Sequence, residues 1–387
     1  MTQYKPIYLD YNATAPLLPQ ASEAMRPLME STFGNASSRH SYGRAAWETV
    51  EQARAQVAQL AGAQPDEVIF TSGATESNFL SLIGRYDFCI ESGKTPQSIR
   101  IAVSPVEHPC VMAAAQRLKQ RGADVTFLPV DQYGRVEPSF FESNQNFDIV
   151  AVMAVNHETG AIQPIQEISK FIDRKKTYFH CDAVQWAGRS CGGFDDWGAS
   201  AMTLSSHKIG GPKGVGALVL RSGVQITPQL PGAQEAGLRS GTVNSPGIAG
   251  FGAAANVSVQ SRRENSLQLI KLREQFWASL ENLIPMIQRT LPPDVAVCNT
   301  LHVRLPALKG ERVVDALDQL GIACSSGPAC ASGASDASPV LQAMGWSERD
   351  SWEGVRFSLG LGLYEKDILD AANRISTWIL KQSNRIA

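Results

Sequence analysis

The sequence has no long apolar run, no excess of either charge and no paired cysteine spacing, and each absence removes a class of function. No segment approaches the ~20 apolar residues that cross a bilayer, and residues 1–10 lack the basic-then-apolar pattern of an export signal. A cytoplasmic protein without a membrane partner is expected. The 35 Lys and Arg against 37 Asp and Glu leave a net charge of −2, so no basic field invites nucleic acid. Seven cysteines, at 89, 110, 181, 191, 298, 324 and 330, are odd in number and form no C-x-x-C, which argues against a disulfide framework and against a metal site. The N-x-S/T matches at Asn12, Asn35 and Asn256 would carry glycans only in a secreted chain and are read as coincidences. There is no repeat, low-complexity tract or P-loop.

What is present is an alternation of strand and helix patterns over a chain of 387 residues, long enough for two lobes. Strand patterns at 99–103, 124–128, 148–155, 177–181, 201–204 and 216–220 are interleaved with helical stretches, including 110–120 and 166–175. The expected fold class is α/β: a mostly parallel, doubly wound sheet in a large domain, residues 15–260, plus a smaller α/β domain from residues 1–14 and 261–387. A long helix is expected to begin near Ser261, and a small-residue loop spans about 324–338.

Polar residues that follow these strands are the candidates for chemistry, because ligands on such folds bind at the C-terminal strand ends. Lys208, after the strand 201–204, sits in Ser205-Ser206-His207-Lys208 before a glycine-rich turn. Desolvated at a strand end, a lysine can lose its proton and attack a carbonyl; an exposed turn lysine is the alternative. Thr71-Ser72-Gly73-Ala74-Thr75 closes one strand and opens a helix, an arrangement suited to phosphate or to an ordinary cap. Asp182 ends an apolar strand, where a carboxylate needs a cation or a donor. His108 lies between Pro105 and Pro109, where an imidazole could stack on an aromatic cofactor or merely occupy a turn. Cys330 lies in a small, polar loop suited to a mobile nucleophile. Arg356 stands on an apolar strand and needs an anion, for which a substrate carboxylate fits.

These motifs, together with Phe33-Gly34-Asn35, Glu158-Thr159-Gly160, Gly211-Pro212-Lys213-Gly214 and Arg239-Ser240-Gly241-Thr242, resemble the cysteine desulfurases of the NifS/IscS type. Those are class V members of the fold-type I pyridoxal-phosphate enzymes. The resemblance runs from Tyr8 to about Gly362. It implies pyridoxal 5'-phosphate bound through Lys208, Asp182 at its pyridine nitrogen, Gln185 at its ring hydroxyl and His108 against its face. Ala74, Thr75, Ser205 and His207 would hold the phosphate, with Thr242 from the second subunit of a homodimer. Asn35, Asn156 and Arg356 would bind substrate. Cys330 would accept sulfur from L-cysteine as a persulfide and pass it to an acceptor protein for iron–sulfur clusters or thiolated cofactors, leaving L-alanine.

The sequence departs from the family pattern in three places. His157 stands where a second asparagine contacts the cofactor, Pro328 replaces a common serine, and the chain ends without the longer tail some relatives use to dock a scaffold. The alternatives that remain are another class V reaction, such as selenocysteine lysis or amino transfer, and a non-catalytic sulfur-relay scaffold.

Overall fold

The computed structural model describes residues 4–143, 146–327 and 337–386. The strand-forming runs make a seven-stranded sheet in the order Val68–Thr71, Gly216–Leu220, Ala201–Ser205, Tyr178–Asp182, Ile149–Ala151, Arg100–Val103, Asp124–Phe127. Every pairing is parallel except those of Gly216–Leu220, which is antiparallel to both its neighbours. Because Val68–Thr71 and Ala201–Ser205 both oppose that strand, their C-terminal ends share one edge with the other parallel strands.

Side-chain alternation explains why the sheet is covered twice. Val68, Phe70, Phe179, Met202 and Val219 join one core, which also takes in Val50, Val57 and Phe251 from the helices Ser41–Ala61 and Ser245–Leu283. Ile69, Ile101, Tyr178, Ala201 and Leu218 point the other way, into a core with Leu80, Ile83, Val111 and Leu118 from the helices Ala74–Glu91 and Pro109–Gln120.

The C-terminal unit has a three-stranded antiparallel sheet, Gly354–Ser358, Thr300–Arg304 and Gln288–Arg289. The helices Gly310–Gln319 and Glu365–Ile386 belong to the same unit. The N-terminal strand Ile7–Tyr8 pairs in parallel with Ile322–Ala323. Two expectations change. The helix assigned to 166–175 is confined to Ile165–Ser169. The long helix expected from near Ser261 begins at Ser245, capped by Asn244, and runs to Leu283.

Candidate active site

The strand ends Asp182 and Ser205, with Ser72 just past the strand Val68–Thr71, open onto a cavity of about 570 Å³. Ala74, Thr75, His108, His157, Asp182, Gln185, Ser205, His207, Lys208 and Arg356 all line it, together with residues 12–14 from the N-terminal segment. Ten residues singled out in the sequence thus meet in a single space.

At one wall the helix Ala74–Glu91 starts after Gly73, with no side chain capping its first turn. Its opening N–H groups and positive dipole end face the cavity, as an anion requires. Gly73 has φ +154°. Opposite it, a Cβ on Gly216 would come within 2.7 Å of Gly73. Glycine at 216 is therefore what lets the turn lie against the sheet.

Lys208 donates from Nζ to the carbonyls of Asn12, at 2.5 Å, and Ala13, at 2.8 Å. Asp182, 4% exposed, accepts from the Val184 N–H at 3.0 Å and from Asn78 Nδ2 at 2.8 Å. Gln185 donates to the Asn12 carbonyl at 3.0 Å and accepts from Arg189. His207 meets Thr14 Oγ1 at 3.1 Å; burial, then the neighbouring Lys208 and Lys213, push its pKa down to about 4.

His108 caps the helix Pro109–Gln120, its Nδ1 accepting from the Cys110 N–H at 3.2 Å. That bond leaves the ring proton on Nε2 when the imidazole is neutral. Burial, opposed by Asp182 and aided by Lys208, lowers the pKa of His108. His157 crosses it edge to face, with ring centroids 5.2 Å apart. Both His157 ring nitrogens are buried without a partner among the described residues, and burial, then His108, lowers its pKa far below the ordinary value. Arg356, 1% exposed, donates to the His157 carbonyl at 2.8 Å and to Asp10 Oδ1 at 2.7 Å.

Two expected substrate contacts are not brought in. Asn156 is buried outside the cavity lining. Its Oδ1 accepts from the Glu158 and Thr159 N–H groups at 2.9 and 2.8 Å, and its Nδ2 reaches the Val106 carbonyl at 2.9 Å. It shapes the loop that carries His157. Asn35 is exposed, its Oδ1 taken by the Ser37 N–H at 2.9 Å. Thr242 is exposed and lies outside this cavity, in a smaller cleft with Ser72 and Gly214. Cys330 and Pro328 lie outside the described residues.

The sequence assigns Asn12, Asp10 and Asn78 no place in the site. Asn12 is 2% exposed and tied to Thr300 and Asn299, which removes it as a glycan acceptor. Its signal was its place just after the first strand. Among the described residues no acidic, histidine and cysteine cluster could hold a metal, the six cysteines are free, and no helix is long and apolar enough to cross a membrane.

Fold and site define a fold-type I α/β enzyme, with a lysine, an aspartate and an open helix start around one cavity at the strand ends. The chain belongs to the class V aminotransferase family, whose profile matches residues 7–370. It is 36% identical over 375 residues to a protein of Dictyoglomus turgidum named cysteine desulfurase IscS, covering 95% of this chain and 94% of that one. It is 38% identical over 366 residues to cysteine desulfurase IscS 1 of Archaeoglobus fulgidus, covering 93% and 94%. A solved NifS-like protein superposes with a TM-score of 0.90 at 32% identity, over 97% of this chain and all of that one. A structure described as SspA in complex with cysteine superposes at 0.78 and 30% identity, over 91% and 98%.

The residues present fit pyridoxal phosphate. The uncapped helix start offers donors for phosphate, the fixed Asp182 carboxylate offers an acceptor for a ring N–H, and the unpartnered His157 imidazole is left for a bound group to satisfy.

Proposed function

We propose that this protein is a pyridoxal-phosphate-dependent cysteine desulfurase that moves the sulfur of L-cysteine onto Cys330 and releases L-alanine. The observation that carries the reading is the convergence of Lys208, Asp182 and the open helix start at Ala74 on one cavity. Identity of 36–38% over nearly the whole chain to proteins named cysteine desulfurase supports it.

When bound, pyridoxal phosphate supplies an electron sink for negative charge at the substrate Cα. The chain supplies the rest. Ala74, Thr75, Ser205 and His207 hold the phosphate, Asp182 keeps the pyridine nitrogen protonated, and Gln185 and His157 meet the ring substituents. Lys208 anchors the cofactor and, once the substrate amine has replaced it, takes the Cα proton from its perch on the Asn12 and Ala13 carbonyls. His108, whose ring proton sits on Nε2 when the imidazole is neutral, offers that N–H as a hydrogen-bond donor in the cavity. Arg356, steadied by Asp10, shares its guanidinium with the substrate carboxylate. The Cys330 thiolate forms a sulfur–sulfur bond as the carbon–sulfur bond breaks. The electron pair stays with the carbon, which is protonated on the way to alanine.

The resulting persulfide serves a sulfur-acceptor protein supplying iron–sulfur clusters or thiolated cofactors, in the cytoplasm. The working unit is a homodimer, a reading supported by the exposed position of Thr242 outside its own cavity.

Cys330→Ser is the test. Alanine formation from L-cysteine should fall by roughly a hundredfold or more, because the nucleophile is gone, while the visible absorbance of the bound cofactor persists. Undiminished turnover by that variant would point to amino transfer or to selenocysteine lysis, and purified protein without cofactor would point to a scaffold.

A further inference from the structure

Along the strand Tyr178–Asp182 the residues facing the helix Ala74–Glu91 are Tyr178, His180 and Asp182, all polar or half-polar, while Phe179 and Cys181 enter the opposite core. The helix answers with Asn78, Ser81 and Arg85, spaced three and four residues apart on one stripe. The two stripes meet in register. Asn78 Nδ2 lies 2.8 Å from Asp182 Oδ2, Asn78 Oδ1 lies 2.8 Å from His180 Nε2, His180 Nδ1 lies 2.8 Å from Ser81 Oγ, and Ser81 Oγ lies 2.7 Å from the Tyr178 hydroxyl. The Arg85 guanidinium closes the row, 5.4 Å above the Tyr178 ring.

The direction of every bond follows from one end. A carboxylate only accepts, so Asn78 must turn its amide N–H groups to Asp182 and its carbonyl to His180. His180 must then carry its proton on Nε2 and accept at Nδ1. Ser81 must donate to that nitrogen, and Tyr178 must donate to Ser81. All donors point toward Asp182, so each bond polarises the next in the same sense. His180, Asn78 and Ser81 are 0% exposed, and burial pushes the His180 pKa down to about 3. A buried polar row of this kind stabilises a fold less readily than packed apolar side chains, which suits a role beyond packing.

We infer that Tyr178, Ser81, His180 and Asn78 form a one-directional hydrogen-bond chain that holds the Asp182 carboxylate in place beneath the cofactor, with His180 as a positioning residue. The inference rests on the function proposed above. It adds a second layer, built from helix and strand, to a site otherwise made of strand ends and loops.

The test uses the full-length protein, labelled with 15N at histidine and reconstituted with pyridoxal phosphate. His180 should show a protonated Nε2 and an unprotonated Nδ1 from pH 5 to pH 8, and a protonated Nδ1 overturns the chain. His180→Phe removes the donor to Asn78 and should raise the cofactor dissociation constant roughly tenfold, the worth of one buried hydrogen bond. His180→Gln, which keeps a donor and an acceptor, should recover most of that loss. Cofactor binding by His180→Phe at wild-type affinity, with only a lower melting temperature, reduces the row to packing and overturns the inference while leaving the proposed function standing. Wild-type protein that takes up no pyridoxal phosphate overturns both.

Discussion

Glu158 has no route to solvent, and only one of its oxygens is bonded, accepting from Ser338 Oγ at 2.8 Å. Burial raises its pKa from 4.5 to about 7, against the opposing pull of Ser338 and Arg356. The folded protein therefore binds this proton more tightly than the unfolded chain. The contribution costs nothing below the unfolded value and grows as pH rises through the folded one, to about 3 kcal/mol. Glu158→Gln removes the titration and should stabilise the protein by about 2 kcal/mol more at pH 8 than at pH 5, where the unfolded carboxyl is already partly ionised, read by urea unfolding at both pH values. An equal effect at both pH values would show that Glu158 stays ionised when folded.

Residues were legible in the sequence to the degree that their surroundings made them incongruous. Lys208, Asp182 and Arg356 stand at or on apolar strands, where a charge needs a reason, and each lines the cavity. Asn156 reads identically whether it serves a ligand or its own loop, and only the three bonds to its Oδ1 decide for the loop. Asn78 and His180 are hidden for the opposite cause. Each sits inside a regular element, and what makes it meaningful is a partner about a hundred residues away.

At the scale of elements, the sheet was readable because its inner strands are short apolar runs closed by turn signals. The start of the long helix was not. Its first third, from Ser245 to Ala255, is rich in glycine and alanine and buried nearly all round, so it lacks the polar face that announces a helix. That stretch packs against the helix Ser41–Ala61 so closely that a Cβ on Gly252 would lie 2.6 Å from Ala53. The contact between Gly216 and Gly73 has the same character and bears on the site. Gly216→Ala should push the Ser72–Gly73 turn off the sheet, at a cost of about 1–3 kcal/mol of stability and with weaker cofactor retention. Thermal unfolding and a pyridoxal phosphate titration check this; a variant unchanged in both would mean that the sheet edge yields.

At the scale of the whole molecule, the proposed use of Thr242 by a neighbouring protomer has a sharp signature. Mixing Lys208→Ala protomers with Thr242→Trp protomers should restore activity that neither possesses alone, since each mixed dimer then contains a site with an intact lysine and an intact threonine. If Thr242 served its own cavity, the mixture would be as inactive as its parts. Steady-state alanine release after refolding the two together is the measurement.

The segment from Ile7 to Thr14 pairs with Ile322–Ala323, gives Asp10 to Arg356 and Asn12 to Thr300, and places the carbonyls that hold Lys208. On the ribosome these early residues emerge long before the strands they join. The lysine's seat therefore cannot be finished until residue 358 has left the exit tunnel, and a nascent chain passes most of its synthesis with its chemistry unassembled.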